Sequence, residues 1–135
     1  MPALLGSDPY AFHFVEEWAS KIASGNVDEI LALYSDEAVL IATFSNAPMR
    51  GQAALREYFE KLVYDHPNLD VEILAGEVNQ NLGDARCISG TYRFIWGTSI
   101  DDMKTQDARY SFVVRDDGVQ WLAHNHHSSV FPEQG

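Results

Sequence analysis

The stretch Trp121-Leu122-Ala123-His124-Asn125-His126-His127-Ser128-Ser129-Val130-Phe131-Pro132 constrains the fold more than any other part of the chain. No other segment brings together as many aromatic, imidazole and hydroxyl groups. As a β-strand it sends alternate side chains to opposite faces. One face then carries Leu122, His124, His126, Ser128 and Val130, and the other carries Trp121, Ala123, Asn125, His127, Ser129 and Phe131. Imidazoles and hydroxyls are costly to bury without partners. The strand therefore belongs either to a polar core whose groups satisfy one another or to a working pocket. Pro132 cannot donate to a sheet ladder, so the strand is expected to stop there.

The segments upstream supply what such a strand packs against. Ser7-Asp8-Pro9 is a helix start, and Ala11, Phe14, Val15, Trp18, Ala19 and Ile22 then recur at helical spacing. Gly25 ends that helix, and Asn26 with Glu29 opens a second, short one whose buried side is Val27, Ile30, Leu31 and Tyr34. The apolar run from Ala38 to Phe44 reads as a buried strand. A third helix spans about Gly51 to Tyr64, with Leu55, Tyr58, Phe59, Leu62 and Val63 on its inner side, and Asp65-His66-Pro67-Asn68 breaks it. The remainder alternates strand and turn. Strands are expected over Leu69 to Val78, Ala85 to Trp96, Thr105 to Arg115 and Val119 to Phe131, with a turn at Asn79 to Asp84, a polar loop from Gly97 to Lys104 and a hairpin turn at Asp116-Asp117-Gly118. Helices followed by a meander of long strands give an α+β fold: three helices packed on a strongly curved, mainly antiparallel sheet that leaves a cavity at its open end.

Composition narrows the function. With 135 residues and 46% apolar content the chain forms one domain with a real core, residues 1–7 being a flexible lead. The net charge of −11 argues against nucleic acid and anionic membrane as partners, since both need a basic footprint, and leaves a small neutral molecule or a single small anion. Cys87 is the only cysteine, so neither an intrachain disulfide nor a thiolate cluster can form, and it reads as a packed thiol. No signal peptide or membrane span is evident, and a cytoplasmic location is expected.

Four local motifs carry a family resemblance. They are Ala32 to Leu40 (ALYSDEAVL), Ser89 to Phe94 (SGTYRF), Ala108 to Val113 (ARYSFV) and the ending His126-His127-Ser128-Ser129-Val130-Phe131-Pro132-Glu133. With the order of elements, they resemble the nuclear-transport-factor-2-like (NTF2-like) superfamily, a cone-shaped α+β fold, in the branch related to the association domain of calcium/calmodulin-dependent protein kinase II. The His-His-Ser-Ser ending with Pro-Glu resembles iota-class carbonic anhydrases, some of which work without metal. The resemblance implies reversible hydration of CO2 to bicarbonate with no metal and no cofactor. It implies a pocket made by Thr43, Tyr58, His126 and Ser128, with Arg109, Tyr92 and Ser111 as supporting groups. His124 stands where an aliphatic residue is more usual and, with the Gly97–Lys104 loop, bears on substrate choice.

In such a pocket His126 is expected to accept the proton of water, while Tyr58, Thr43 and Ser128 donate to substrate oxygens. His127 points to the opposite face. Other readings stand beside this one. His124 and His126, two residues apart, could ligate a metal with His13 or His66 as a third ligand. Arg109 could pair with Asp107 on the same strand. The chain could be a non-catalytic assembly or small-anion-binding module, or another isomerase or dehydratase of the fold. A homodimer or an assembly of dimers is expected, because helices cover one sheet face only and residues such as Trp121 and Phe131 lie on the other.

Overall fold

A computed structural model of the protein describes residues 13–132. The expected helix start at Ser7-Asp8-Pro9 and the lead of residues 1–7 lie outside them. Helix α1 (Phe14–Ser24) buries Phe14, Val15, Trp18, Ala19 and Ile22 on one stripe. Gly25 stops it in the left-handed conformation, at φ 70°, with its N–H donating to the Ile22 carbonyl. Helix α2 (Val27–Leu31) is capped by Asn26, whose side chain accepts from the Glu29 N–H at 3.2 Å. Helix α3 (Gln52–Asp65) buries Leu55, Phe59 and Leu62. At its start Gln52 Nε2 donates to the Tyr34 carbonyl at 3.0 Å, which ties the helix to the first strand.

The strands are β1 (Tyr34–Ile41), β2 (Met49–Arg50), β3 (Asp70–Ile73), β4 (Val78–Asn81), β5 (Ala85–Trp96), β6 (Lys104–Asp116) and β7 (Trp121–Val130). They form one sheet in the order β2-β1-β7-β6-β5-β3, with β4 also pairing β5. Every pairing is antiparallel except that of β1 with β7. Three helices on a mainly antiparallel sheet form the expected α+β arrangement. The core lies between the helices and the inner sheet face, where Ile88, Tyr92 and Phe94 of β5 meet Ala108, Tyr110, Phe112 and Val114 of β6. Gly90 belongs to that row for steric reasons. A Cβ there would stand 2.7 Å from the Tyr110 hydroxyl, which crosses β5 to donate to Glu77 Oε2 at 2.9 Å. No helix among the described residues is long and apolar enough to cross a membrane.

Four details depart from the sequence reading. Tyr34 opens β1 instead of closing the second helix, because the Ala123 N–H donates to the Leu33 carbonyl at 2.8 Å and draws the chain into the sheet. The strand expected over Leu69 to Val78 is two strands, and β4 takes in Asn79 to Asn81, which were expected to turn. Pairing with β5 supplies those polar residues with ladder partners that override their weak strand preference. The polar loop after β5 contains a short 3₁₀ turn, Ile100–Asp102. Finally, β7 does not alternate strictly. Opposite β6 the register steps from Val113↔Asn125 to Val114↔Ala123, so His124 is one residue too many, a β-bulge. The bulge resets the faces, and Ala123 is buried inside together with His126 and Ser128.

Candidate functional site

Among the described residues, the polar side chains fully buried in this core are His126, 2% exposed, and Ser128, 4% exposed. Both come from β7 beyond the bulge. The His126 ring lies against Phe112, with centroids 3.8 Å apart and planes 18° apart, and meets the edge of Trp18 at 5.2 Å. Burying an imidazole among such rings removes the water that would stabilise its charge. Burial, with a smaller contribution from nearby His127, pulls the His126 pKa down to about 3, so the ring is neutral at pH 7.

Each polar atom of this buried group has a partner, and the partners form a chain. Trp18 Nε1–H donates to the Tyr34 hydroxyl at 2.9 Å. The Tyr34 hydroxyl is 2.8 Å from His126 Nδ1. His126 Nε2 is 3.2 Å from the Tyr92 hydroxyl, which donates to Ser128 Oγ at 2.6 Å. Ser128 Oγ in turn shares a hydrogen bond with Thr43 Oγ1. Proton counting fixes the direction. Trp18 can only donate, so the single Tyr34 proton finds its acceptor in His126 Nδ1. At the other end Tyr92 gives its proton to Ser128, so His126 Nε2 must carry hydrogen and donate to Tyr92. Both ends require the same neutral tautomer, Nε2–H, and both imidazole nitrogens are occupied.

A small cavity of about 10 Å³ opens beside this chain, lined among others by Thr43, Tyr58, Tyr92, His126 and Ser128. Thr43 follows β1, Tyr58 projects from α3, Tyr92 from β5 and the other two from β7. That volume holds about one water. Burial raises the pKa values of the Tyr34, Tyr58 and Tyr92 phenols, so all three keep their protons at pH 7. The Tyr58 oxygen accepts from the Phe44 amide, which leaves its own proton for the cavity. Thr43 and Ser128 have two protons and need one for the bond between them, which leaves a second donor. The cavity therefore offers hydrogen-bond donors and no base.

Of the residues proposed from sequence, Thr43, Tyr58, Tyr92, His126 and Ser128 are brought together. Arg109, Ser111 and His124 are not. Arg109 is exposed on the outer face and donates to Ser129 Oγ at 3.1 Å. Asp107 pairs instead with Arg93, directly opposite on β5, through bonds of 2.6 and 3.1 Å. Ser111 is bonded to Ser89 Oγ at 2.9 Å, across from outward-facing His127. His124 is the bulge residue and does not line the cavity, so it forms no ligand pair with His126. Among the described residues no group of three or more His, Cys, Asp or Glu side chains is placed to hold a metal. Trp18 and Tyr34 were not singled out from sequence. Their signal was present, because a buried indole N–H or phenol O–H requires a partner.

A second cavity of about 280 Å³ adjoins the first, sharing Tyr58 and Leu62 as walls, with Phe44, Lys61, Asp65 and His66 among its other lining residues.

The fold has close relatives. A protein from Xanthomonas campestris, provisionally named a calcium/calmodulin dependent protein kinase II association domain, is 27% identical, with 98% of this chain and 95% of that one covered at a TM-score of 0.85. An NTF2-like protein of unknown function from Pseudomonas putida KT2440 is 18% identical, covering 96% of this chain and 92% of that one at 0.81. A provisionally named dehydratase of the NTF2-like family from Streptomyces avermitilis is 11% identical, covering 93% and 96% at 0.81. No curated protein matches the chain. The architecture is NTF2-like, and since the family model of the SnoaL-like domain matches residues 12–133, the chain belongs to the SnoaL-like domain family.

Proposed function

We propose that the protein hydrates CO2 reversibly to bicarbonate, without a metal, in the cavity between Thr43, Tyr58 and Ser128. The observation that supports this most directly is convergence. Thr43, Tyr58, His126 and Ser128 come from separate elements, match the iota-class pocket in residue type, and line one cavity with room for a water. CO2 approaches from the larger cavity that shares Tyr58 and Leu62 as walls, and attack by the water takes place at that boundary. Negative charge then grows on the CO2 oxygens, and the Tyr58 proton and the spare proton of the Thr43–Ser128 pair are there to be donated to them. Donors fixed in a buried site need no reorganisation as the charge develops.

In this reading His126 positions the donors instead of accepting the proton of water. It is neutral, and both its nitrogens are engaged by the Tyr34 and Tyr92 hydroxyls. It acts by holding Tyr92, and through Tyr92 the Ser128 hydroxyl, at a fixed angle. The donor-rich cavity also favours a second reading, a small-anion-binding module without turnover; the provisional name of the Xanthomonas campestris relative speaks only for an association module. An isomerase or dehydratase that needs a buried carboxylate base is not served, because the cavity is lined by no Asp or Glu among the described residues.

The test is stopped-flow CO2 hydration by chelator-treated protein. Ser128→Ala and Tyr58→Phe should each lower the rate by about 100- to 1,000-fold, the loss expected for one preorganised donor. Wild-type protein with no hydration above buffer ends the enzyme reading. Bicarbonate binding without hydration would leave the module in its place.

A further inference from the structure

Hydration releases a proton, and the buried hydroxyl chain cannot carry it off. That chain ends at Trp18 Nε1–H, 2% exposed, an atom with no lone pair to receive a proton. The nearest larger space is the 280 Å³ cavity on the other side of Tyr58 and Leu62, and the proton is taken to leave on that side.

We infer that His66, in that outer cavity, accepts the proton of hydration. His66 follows the last turn of α3, and its Nδ1 lies 2.8 Å from the Leu62 carbonyl. A carbonyl can only accept, so Nδ1 carries hydrogen and Nε2 presents a lone pair. Nε2 has no hydrogen-bond partner among the described residues. The half-buried ring is held by Phe44, with centroids 4.7 Å apart, and by Trp96 at 4.8 Å. Its cavity shares Tyr58 and Leu62 as walls with the inner one and has space for several waters.

The charged groups around this cavity all come from α3. Lys61 Nζ is taken up by Asp65 Oδ2 at 2.6 Å. Glu57 is the remaining carboxylate lining the cavity. Phe44, Ser45 and Trp96, from the other elements around the ring, bring no charge. The inference rests on the CO2 reading, and the step balances. A water oxygen bonds to the carbon of CO2, one C=O pair becomes the carboxylate oxygen, and the water proton passes through intervening water to His66 Nε2. The imidazolium then yields the proton to solvent buffer.

The experiment measures CO2 hydration by wild type and His66→Ala at saturating CO2 in weak, non-imidazole buffer, then with imidazole added. His66→Ala should lose about 100-fold, the lower end of what a positioned base contributes, and added imidazole should restore most of the rate. If His66→Ala misfolds, His66→Asn keeps a donor for the Leu62 carbonyl and takes its place. A variant as fast as wild type in weak buffer overturns the inference. So does a folded variant that stays slow in imidazole, since loss by distortion is not repaired by buffer. Wild type without hydration sinks the CO2 reading itself, and this inference with it.

Discussion

β7 carries two His-Ser pairs interleaved, His126 with Ser128 and His127 with Ser129, and the sheet sends them to opposite sides. The inner pair sits among Trp18, Tyr34, Tyr92 and Phe112, with both imidazole nitrogens bonded. The outer His127 is exposed, and Ser129 accepts from Arg109. The same residue types thus do different work one position apart. Inside, a donor or acceptor left without a partner costs its full desolvation, and the direction of donation is fixed from Trp18 through Tyr34, His126 and Tyr92 to Ser128. Outside, water replaces any lost partner at little cost.

The comparison breaks most decisively at the histidines themselves. His126→Ala leaves the Tyr34 hydroxyl proton without its acceptor and the Tyr92 oxygen without the Nε2–H donor, and removes the stacking on Phe112. Urea unfolding should show a loss of about 3–5 kcal/mol. A loss below about 1 kcal/mol would mean that the chain is not satisfied in the way the distances imply.

Acid should sharpen the same contrast. Folding lowers the His126 pKa to about 3. Below the ordinary histidine value the unfolded chain therefore binds a proton that the folded chain refuses. The His126 contribution to stability is complete above roughly pH 6.5, and it declines as pH falls from there toward 3. Between pH 7 and pH 5 the loss should be about 2 kcal/mol, read as a shift in the urea midpoint. His126→Gln should flatten that part of the profile. An unchanged profile would place a charged, solvated imidazole where the structure has a buried one.

Tyr34→Phe is the milder break. It strands the Trp18 N–H and His126 Nδ1 but leaves the ring contacts in place. About 1–3 kcal/mol should be lost. The tautomer of His126, read from its ¹⁵N shifts, should also lose its strong preference for Nε2–H. A tautomer unmoved by this change would show that the Ser128 end alone sets the direction.

The order of elements was legible in the sequence because apolar spacing switches cleanly from helical in Phe14 to Ile22 to alternating in Ala108 to Val114. The cavity residues were legible through the motif around His126 and Ser128. The bulge at His124 was not, since one extra residue in a ladder depends on what the neighbouring strand offers. Strict alternation therefore put Ala123 outside, whereas the structure buries it inside. Arg109 was assigned to Asp107 by spacing along one strand. The register of β5 against β6, which no single strand encodes, gave Asp107 to Arg93. Trp18 and Tyr34 were read as apolar, which their rings are. Their polar atoms matter only because the fold brings both of them to His126.

The smallest effect belongs to the outer pair. His127→Ala should change unfolding free energy by less than about 0.5 kcal/mol and leave CO2 hydration untouched, because exposed side chains without special geometry contribute little. The outer face around it mixes polar residues (Ser89, Arg93, Asp107, Ser111 and Ser129) with half-buried apolar ones (Val39, Ile41, Ile95 and Val113). Val130 and Phe131, at the end of β7, are nevertheless 44% and 41% exposed. We propose that a second copy of the chain covers them. Light scattering at micromolar concentration should then give a dimer, which Phe131→Asp weakens by adding charge to a chain already at −11. A monomer in wild type would leave this face to solvent. A dimer in which His127→Ala slows hydration as much as His126→Ala would show that the outer pair works through the sheet, against the separation of the two faces.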